Sequence, residues 1–211
     1  MVDWPTIASL ATAAGTLVLA GATFASVRSA NRTARAAERS LQEGLRPLVL
    51  PTRPEDPQQK ITWNDDHRVM VSGGHGVAEE ADGNIYLAAT VRNAGAGIAV
   101  LHSWYPHAGY RPTAQDGPVP LEQFRRLTRD LYIPARDNGF WQGAIRDTDD
   151  PYRESVSAAI AERSPIYIDL LYGDHEGGQR TITRIGLTPI DNGGWITSVS
   201  RYWHIDGPEP R

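Results

Sequence analysis

The chain has 211 residues, with 21 basic against 25 acidic side chains, a net charge of −4 and no cysteine. Disulfides, thiolate metal sites and cysteine nucleophiles are therefore excluded, and any metal would have to come from His, Asp and Glu. Residues 1–46 hold five arginines and three acids, leaving 16 basic and 22 acidic residues beyond, a charge of −6 that lacks the cationic footprint of nucleic-acid binding.

The first predicted element runs over residues 4–27, which contain no charged side chain. As helix, this stretch is roughly 36 Å long, against a hydrocarbon core of about 30 Å. Its apolar content is modest, because Ile7, Leu10, Leu17, Val18, Leu19, Phe24 and Val27 are diluted by Ala, Gly, Ser and Thr. Pro5 suits a first helical turn and Trp4 a bilayer interface. The expectation is a transmembrane anchor at 1–27. A cleaved signal sequence ending near Ala20-Gly21-Ala22 and an Ala-rich helix packed on a partner are the other readings.

Arg28, Arg32, Arg35 and Arg39 follow at once. At 100° per residue they fall within a sector of about 60° on a helix continuing from the anchor. Such a stripe at 28–45 reads as a basic stalk lying against anionic lipid, contributing up to about 4 kcal/mol before salt screening. The positive-inside tendency then places the following domain in the cytoplasm, on a single-pass protein of the cell membrane. Ala30, Ala34, Ala37 and Leu41 line the opposite side, and self-association through so alanine-rich a face would be weak.

Residues 46–206 read as one folded domain, with 207–211 as a tail. Arg46-Pro47-Leu48-Val49-Leu50-Pro51 suits an edge strand, and the proline-rich stretch 51–59 a linker. Short strands are expected at 60–63 and 68–71 about the Asn64-Asp65-Asp66 turn, followed by a Gly-rich acidic loop at 73–83. Residues 85–92 alternate cleanly, with Ile85, Leu87, Ala89 and Val91 on one face, and 98–105 is the expected neighbour. Asn93-Ala94-Gly95-Ala96-Gly97 between them is not a dinucleotide fingerprint, because Val100 replaces the third glycine and no helix follows; its glycines are expected to supply positive φ.

After a loop at 106–120 and a short helical or extended piece, strands are expected at 129–134 and 140–145, joined as a hairpin by the turn Arg136-Asp137-Asn138-Gly139, whose Asn-Gly pair is the signal. One soluble helix is expected at 151–163, with Asp150 as its N-cap. Strands at 166–172, 180–187 and 195–203 close the domain, with a hairpin turn at Asp191-Asn192-Gly193-Gly194 and with Trp195, Val199 and Trp203 sharing a face. Some eight short strands and one inserted helix point to an antiparallel, immunoglobulin-like β-sandwich, with a partly open barrel as the alternative.

Asn93-Ala94-Gly95-Ala96-Gly97-Ile98-Ala99, Arg129-Asp130-Leu131-Tyr132-Ile133-Pro134 and the segment from Tyr172 to Thr181 resemble stretches of uncharacterised actinobacterial membrane-anchored proteins. The resemblance covers most of 46–206 and implies one N-terminal transmembrane helix and one soluble β-rich domain. It implies no activity.

Asp174-His175-Glu176, with Arg180 beyond, is the densest polar group. In an extended chain Asp174 and Glu176 share a side and could face one ion, but the same residues suit a solvent-exposed turn, and no metal or other cofactor is expected. His102 and His107 lack further ligands at zinc spacing, as does Asp65-Asp66-His67. No nucleophile elbow, His-Glu-x-x-His helix or phosphate loop is present. The expected function is a membrane-tethered binding or scaffolding module that presents its domain to a protein partner, through a loop carrying Asp174, His175, Glu176 and Arg180, and is not expected to be an enzyme. The alternatives are an exported envelope-binding domain and a hydrolase with an unrecognised His/carboxylate site.

Overall fold

The computed structural model describes residues 3–108, 113 and 117–207. Much of the expected 106–120 loop, and all but the first residue of the expected tail, lie outside them. The chain divides into two compact units, Met1–Gly44 and Leu45–Arg211.

The first unit is one unbroken helix, α1 (Trp4–Gly44), so the expected anchor and stalk are a single element. Its 41 residues span roughly 60 Å. Five hydroxyls, those of Ser9, Thr12, Thr16, Thr23 and Thr33, each donate to the carbonyl four residues back. That internal pairing lowers the penalty of placing hydroxyls in hydrocarbon. The helix is long and apolar enough to cross a membrane.

The second unit is mainly β and antiparallel. Its strands, in order, are β1 (Val49–Pro51), β2 (Gln59–Thr62), β3 (Arg68–Val71), β4 (His75–Ala81), β5 (Asn84–Asn93), β6 (Ala99–Ala108), β7 (Arg125–Ile133) and β8 (Asn138–Ile145). After α2 (Arg153–Ala161) come β9 (Ile166–Gly173), β10 (Thr181–Pro189) and β11 (Trp195–His204). Among the described residues, nine strands join in one sheet, ordered β1-β5-β4-β11-β10-β9-β6-β7, with β8 also on β5; β2 and β3 form a separate hairpin. The sheet curls into a half-barrel. The expectation of a mainly β, antiparallel domain is met; the immunoglobulin-like sandwich is not what the strand order shows.

β5 organises the unit because both its faces are buried. Ile85, Leu87, Ala89 and Val91 enter the main core with Trp104, Trp141, Ile168 and Leu170, while Tyr86 and Ala88 pack under the β2–β3 hairpin with Ile61, Trp63 and Val71. Each such aliphatic side chain contributes about 1.5–3 kcal/mol when fully buried. α2 adds Val156 and Ala159 to the main core. It is shorter than the expected 151–163, and Asp150 acts just before it, its Oδ1 accepting from the Tyr152 amide at 2.9 Å.

Four local expectations are corrected. Residues 73–83 are not a loop: β4 occupies most of them, its small residues fitting a crowded place, since a Cβ on Gly76 would stand 2.7 Å from the Ala88 carbonyl oxygen. Asn138-Gly139 is not a hairpin turn: both residues belong to β8 and pair with β5, the turn lies earlier, and Arg136 takes the positive φ of 61°. Trp195 and Trp203 do not share a face, because Arg184 pairs with Arg201 and Ile185 with Val199, leaving Ser200 as a bulge that reverses the alternation. Trp195 enters the main core and Trp203 a second cluster with Leu171 and Ile182.

The fourth concerns Gly95 and Gly97, which do not adopt positive φ. A side chain on either would collide with the backbone of residues 45–48, which crosses over this turn. Asn93, fully buried, ties the crossing together. Its Oδ1 accepts from the amides of Leu48 and Gly95 at 3.1 and 3.0 Å, and its Nδ2 donates to the carbonyls of Gly97 and Ile133 at 2.6 and 3.1 Å.

Candidate functional site

β7 and β8 follow one another in sequence but sit at opposite edges of the curled sheet, β7 on β6 and β8 on β5, with no ladder between them. The seam holds a cleft of about 280 Å³ lined by Arg125, Arg126, Leu127 and Thr128 of β7, Gln142, Gly143 and Ala144 of β8, and Arg146, Trp63 and Trp104. A bulge in β7 shapes one wall. Leu101 pairs with Leu131 and Ser103 with Arg126, so four residues, 127–130, stand opposite the single residue His102.

The cations of the cleft are held differently. Arg125 is ion-paired with Asp150, and its guanidinium carbon lies 5.3 Å from the ring centres of both Trp104 and Tyr152. Burial lowers its pKa. Arg146 binds Asp65 at 2.9 Å, and the same carboxylate accepts from the Tyr86 hydroxyl at 2.7 Å. Burial pushes Asp65 up, but the Tyr86 and Arg146 bonds outweigh it and hold the carboxyl below its ordinary value. Arg129 reaches from the bulge to the Gln142 amide oxygen at 3.3 Å. Arg126 has no ion pair among the described residues.

Aromatic and backbone groups complete the cleft. The Trp63 indole donates to the Gly143 carbonyl at 3.0 Å, fastening the β2–β3 hairpin to the outer edge of β8. Gly143 is required where it stands, because a Cβ there would meet the Trp104 ring at 2.8 Å. Among the lining residues none is Ser, His, Asp or Glu. The arrangement can hold an anion on its guanidinium groups, above the nearly buried Trp63 and Trp104, and its lining residues include no His or carboxylate to serve as a base.

The sequence-predicted loop is placed between β9 and β10. Asp174 Oδ1 accepts from the amides of Glu176 and Gly178 at 3.1 and 2.8 Å, so this carboxylate shapes the turn. Arg180 grips Asp206, with Nη2 to Oδ1 at 2.7 Å and its own amide to Oδ2 at 2.8 Å, and fastens the strand end after β11. Those Arg180 bonds hold the Asp206 carboxyl below its ordinary value. His175 and Glu176 are exposed at the tip. Among the described residues, no group of three His, Asp or Glu could hold a metal ion. Arg28, Arg32, Arg35 and Arg39 are exposed on α1.

One charged group escapes sequence reasoning. Asp169 of β9 is fully buried and receives Arg184 of β10 through two bonds of 2.6 and 2.7 Å, with His107 of β6 at 3.0 Å. Arg184 also lies 4.9 Å over Trp203. Burial pushes the Asp169 carboxyl up, and the bonds and charge of Arg184 and His107 more than reverse this. Beside them burial and Tyr152 raise the Tyr105 hydroxyl to about 12. Alternation within each strand gave the only signal: a charged residue at 169 between Ile168 and Leu170.

Compared with protein-family models, with curated proteins and with solved structures, the chain matches none.

Proposed function

We propose that this protein is a membrane-tethered binding module, without catalytic activity, that presents its β domain to a protein partner on the cytoplasmic face. The observation that carries the reading is the pairing of a helix long enough and apolar enough to span a bilayer with a separate compact β unit. Leu17, Val18, Leu19 and Phe24 are each at least two-thirds exposed along that helix, an apolar surface that lipid would cover. The exposed arginine stripe after Val27 supports contact with anionic lipid and the cytoplasmic orientation. Within the domain, the seam cleft offers cations with no His or carboxylate among its lining residues, which favours recognition over hydrolysis. His175 and Glu176, on a tip shaped by Asp174 and braced by Arg180, form a second contact surface.

Fractionation tests the tether. The full chain is expected to sediment with membranes and to resist alkaline carbonate. Residues 45–211 made alone are expected to stay in the supernatant with a β-rich circular dichroism spectrum. A full chain released by carbonate would refute the anchor, and an aggregated fragment would refute the independence of the domain.

A further inference from the structure

We infer that the β7–β8 seam is the partner-binding cleft, and that it takes an acidic side chain flanked by an apolar one, carried on a protruding peptide segment of the partner. The inference rests on the binding-module reading. Charge provides the first argument. The domain beyond residue 46 is acidic, yet one cleft gathers Arg125, Arg126 and Arg146. Asp150 and Asp65 neutralise two of these, while Arg126 meets no carboxylate among the described residues. A cation without a carboxylate partner beside two neutralised ones marks where a carboxylate from outside can pair without breaking an existing pair, which sets specificity more than raw affinity.

Size and lining provide the second argument. At about 280 Å³ the cleft falls just below the usual range for a free small ligand, about 300–1,000 Å³, but suits one or two protruding side chains. Leu127 and Ala144, both half-buried, give an apolar patch beside the cations, over the nearly buried Trp63 and Trp104. An acidic residue next to Leu, Met or an aromatic would place its carboxylate on Arg126 and its neighbour on Leu127 and Ala144. The β8 edge is already occupied at Gly143 by Trp63, so side chains carry the recognition and an added strand does not.

The test uses the full chain in nanodiscs of neutral lipid, panned against a random-peptide display library in parallel with Arg126→Glu and Arg126→Gln variants. Arg126 is exposed, so both variants are expected to fold, and circular dichroism checks this. The expected result is enrichment of peptides with Asp or Glu beside an apolar residue. A selected peptide should bind at least roughly tenfold more weakly to Arg126→Glu, and lose as much when its acid becomes the amide. Peptides without acidic bias, equal binding to the variants, no enrichment, or Arg126-dependent binding of phosphatidylserine vesicles in place of peptides would each overturn the inference. A chain that sediments with membranes yet selects no acidic peptide leaves the tether standing and removes only this cleft.

Discussion

At the scale of single residues, Asp169 is expected to tolerate substitution poorly. Its carboxylate is the counter-ion of a buried guanidinium, so Asp169→Asn leaves Arg184 desolvated without its charge partner. The expected loss is about 3–5 kcal/mol in urea unfolding of the domain, whereas alanine at the exposed Glu176 is expected to change stability by only about 0.5 kcal/mol. The sign of the pH dependence follows from the lowered Asp169 pKa. Its contribution is complete above the ordinary aspartate value of about 3.9 and fades as pH falls through the lower folded value. The stability gap between wild type and Asp169→Asn should therefore be constant near neutrality and close only in strong acid. A gap that closes already near neutrality would show that the Asp169 charge does not set it. None of this was legible in advance, because 62 residues separate His107 from Asp169 and only the register of β6, β9 and β10 makes them neighbours.

Among elements, the strands with strong period-two patterns were legible and the weakly patterned ones were not. β5, β9 and β10 announce themselves through alternating aliphatics. β4 does not, because Gly76, Ala78 and Ala81 carry little strand signal and Glu79 and Glu80 look like loop, although they serve as partners for His67 and Arg153. Asn138-Gly139 carried a strong local turn signal that long-range pairing with β5 overrode, and the cleft was hidden for the same reason, since a β7–β8 hairpin would have closed it. The β2–β3 hairpin is held over β5 and its neighbours by Trp63 to Gly143, Asp65 to Tyr86 and Arg146, and His67 to Glu79 at 2.7 Å, its ring stacked 4.0 Å from Tyr86. Trp63→Ala removes a nearly buried indole and one of these bonds, so a loss of about 3–5 kcal/mol is expected. Hydrogen exchange should then show faster exchange in β2, β3 and β8, with β9 and β10 protected in proportion to the remaining global stability. Uniform loss across all strands with no local excess would mean that the hairpin is not a separable cover.

For the whole molecule, the proposed tether raises the question of which side of a membrane the domain would occupy, because a reversed topology would make the proposed cleft an envelope-binding site. The sequence argument is an asymmetry of charge. Arg28, Arg32, Arg35 and Arg39 follow the apolar stretch, and residues 4–27 carry no charge at all. Because α1 continues unbroken to Gly44, the arginines keep their helical spacing beyond the apolar part and present one exposed stripe. At about 1 kcal/mol per basic side chain near an anionic leaflet, four of them favour retention of this flank on the cytoplasmic side by up to about 4 kcal/mol. Fusions of alkaline phosphatase and green fluorescent protein after residue 211 read the outcome directly. A fluorescent green fusion and an inactive phosphatase are expected. Replacing all four arginines by glutamine should reduce the fluorescent fraction and raise phosphatase activity, since the charge bias alone is removed while helix length is kept. A phosphatase-active, non-fluorescent wild type would reverse the orientation, and an unchanged distribution in the quadruple variant would show that something other than these arginines sets it.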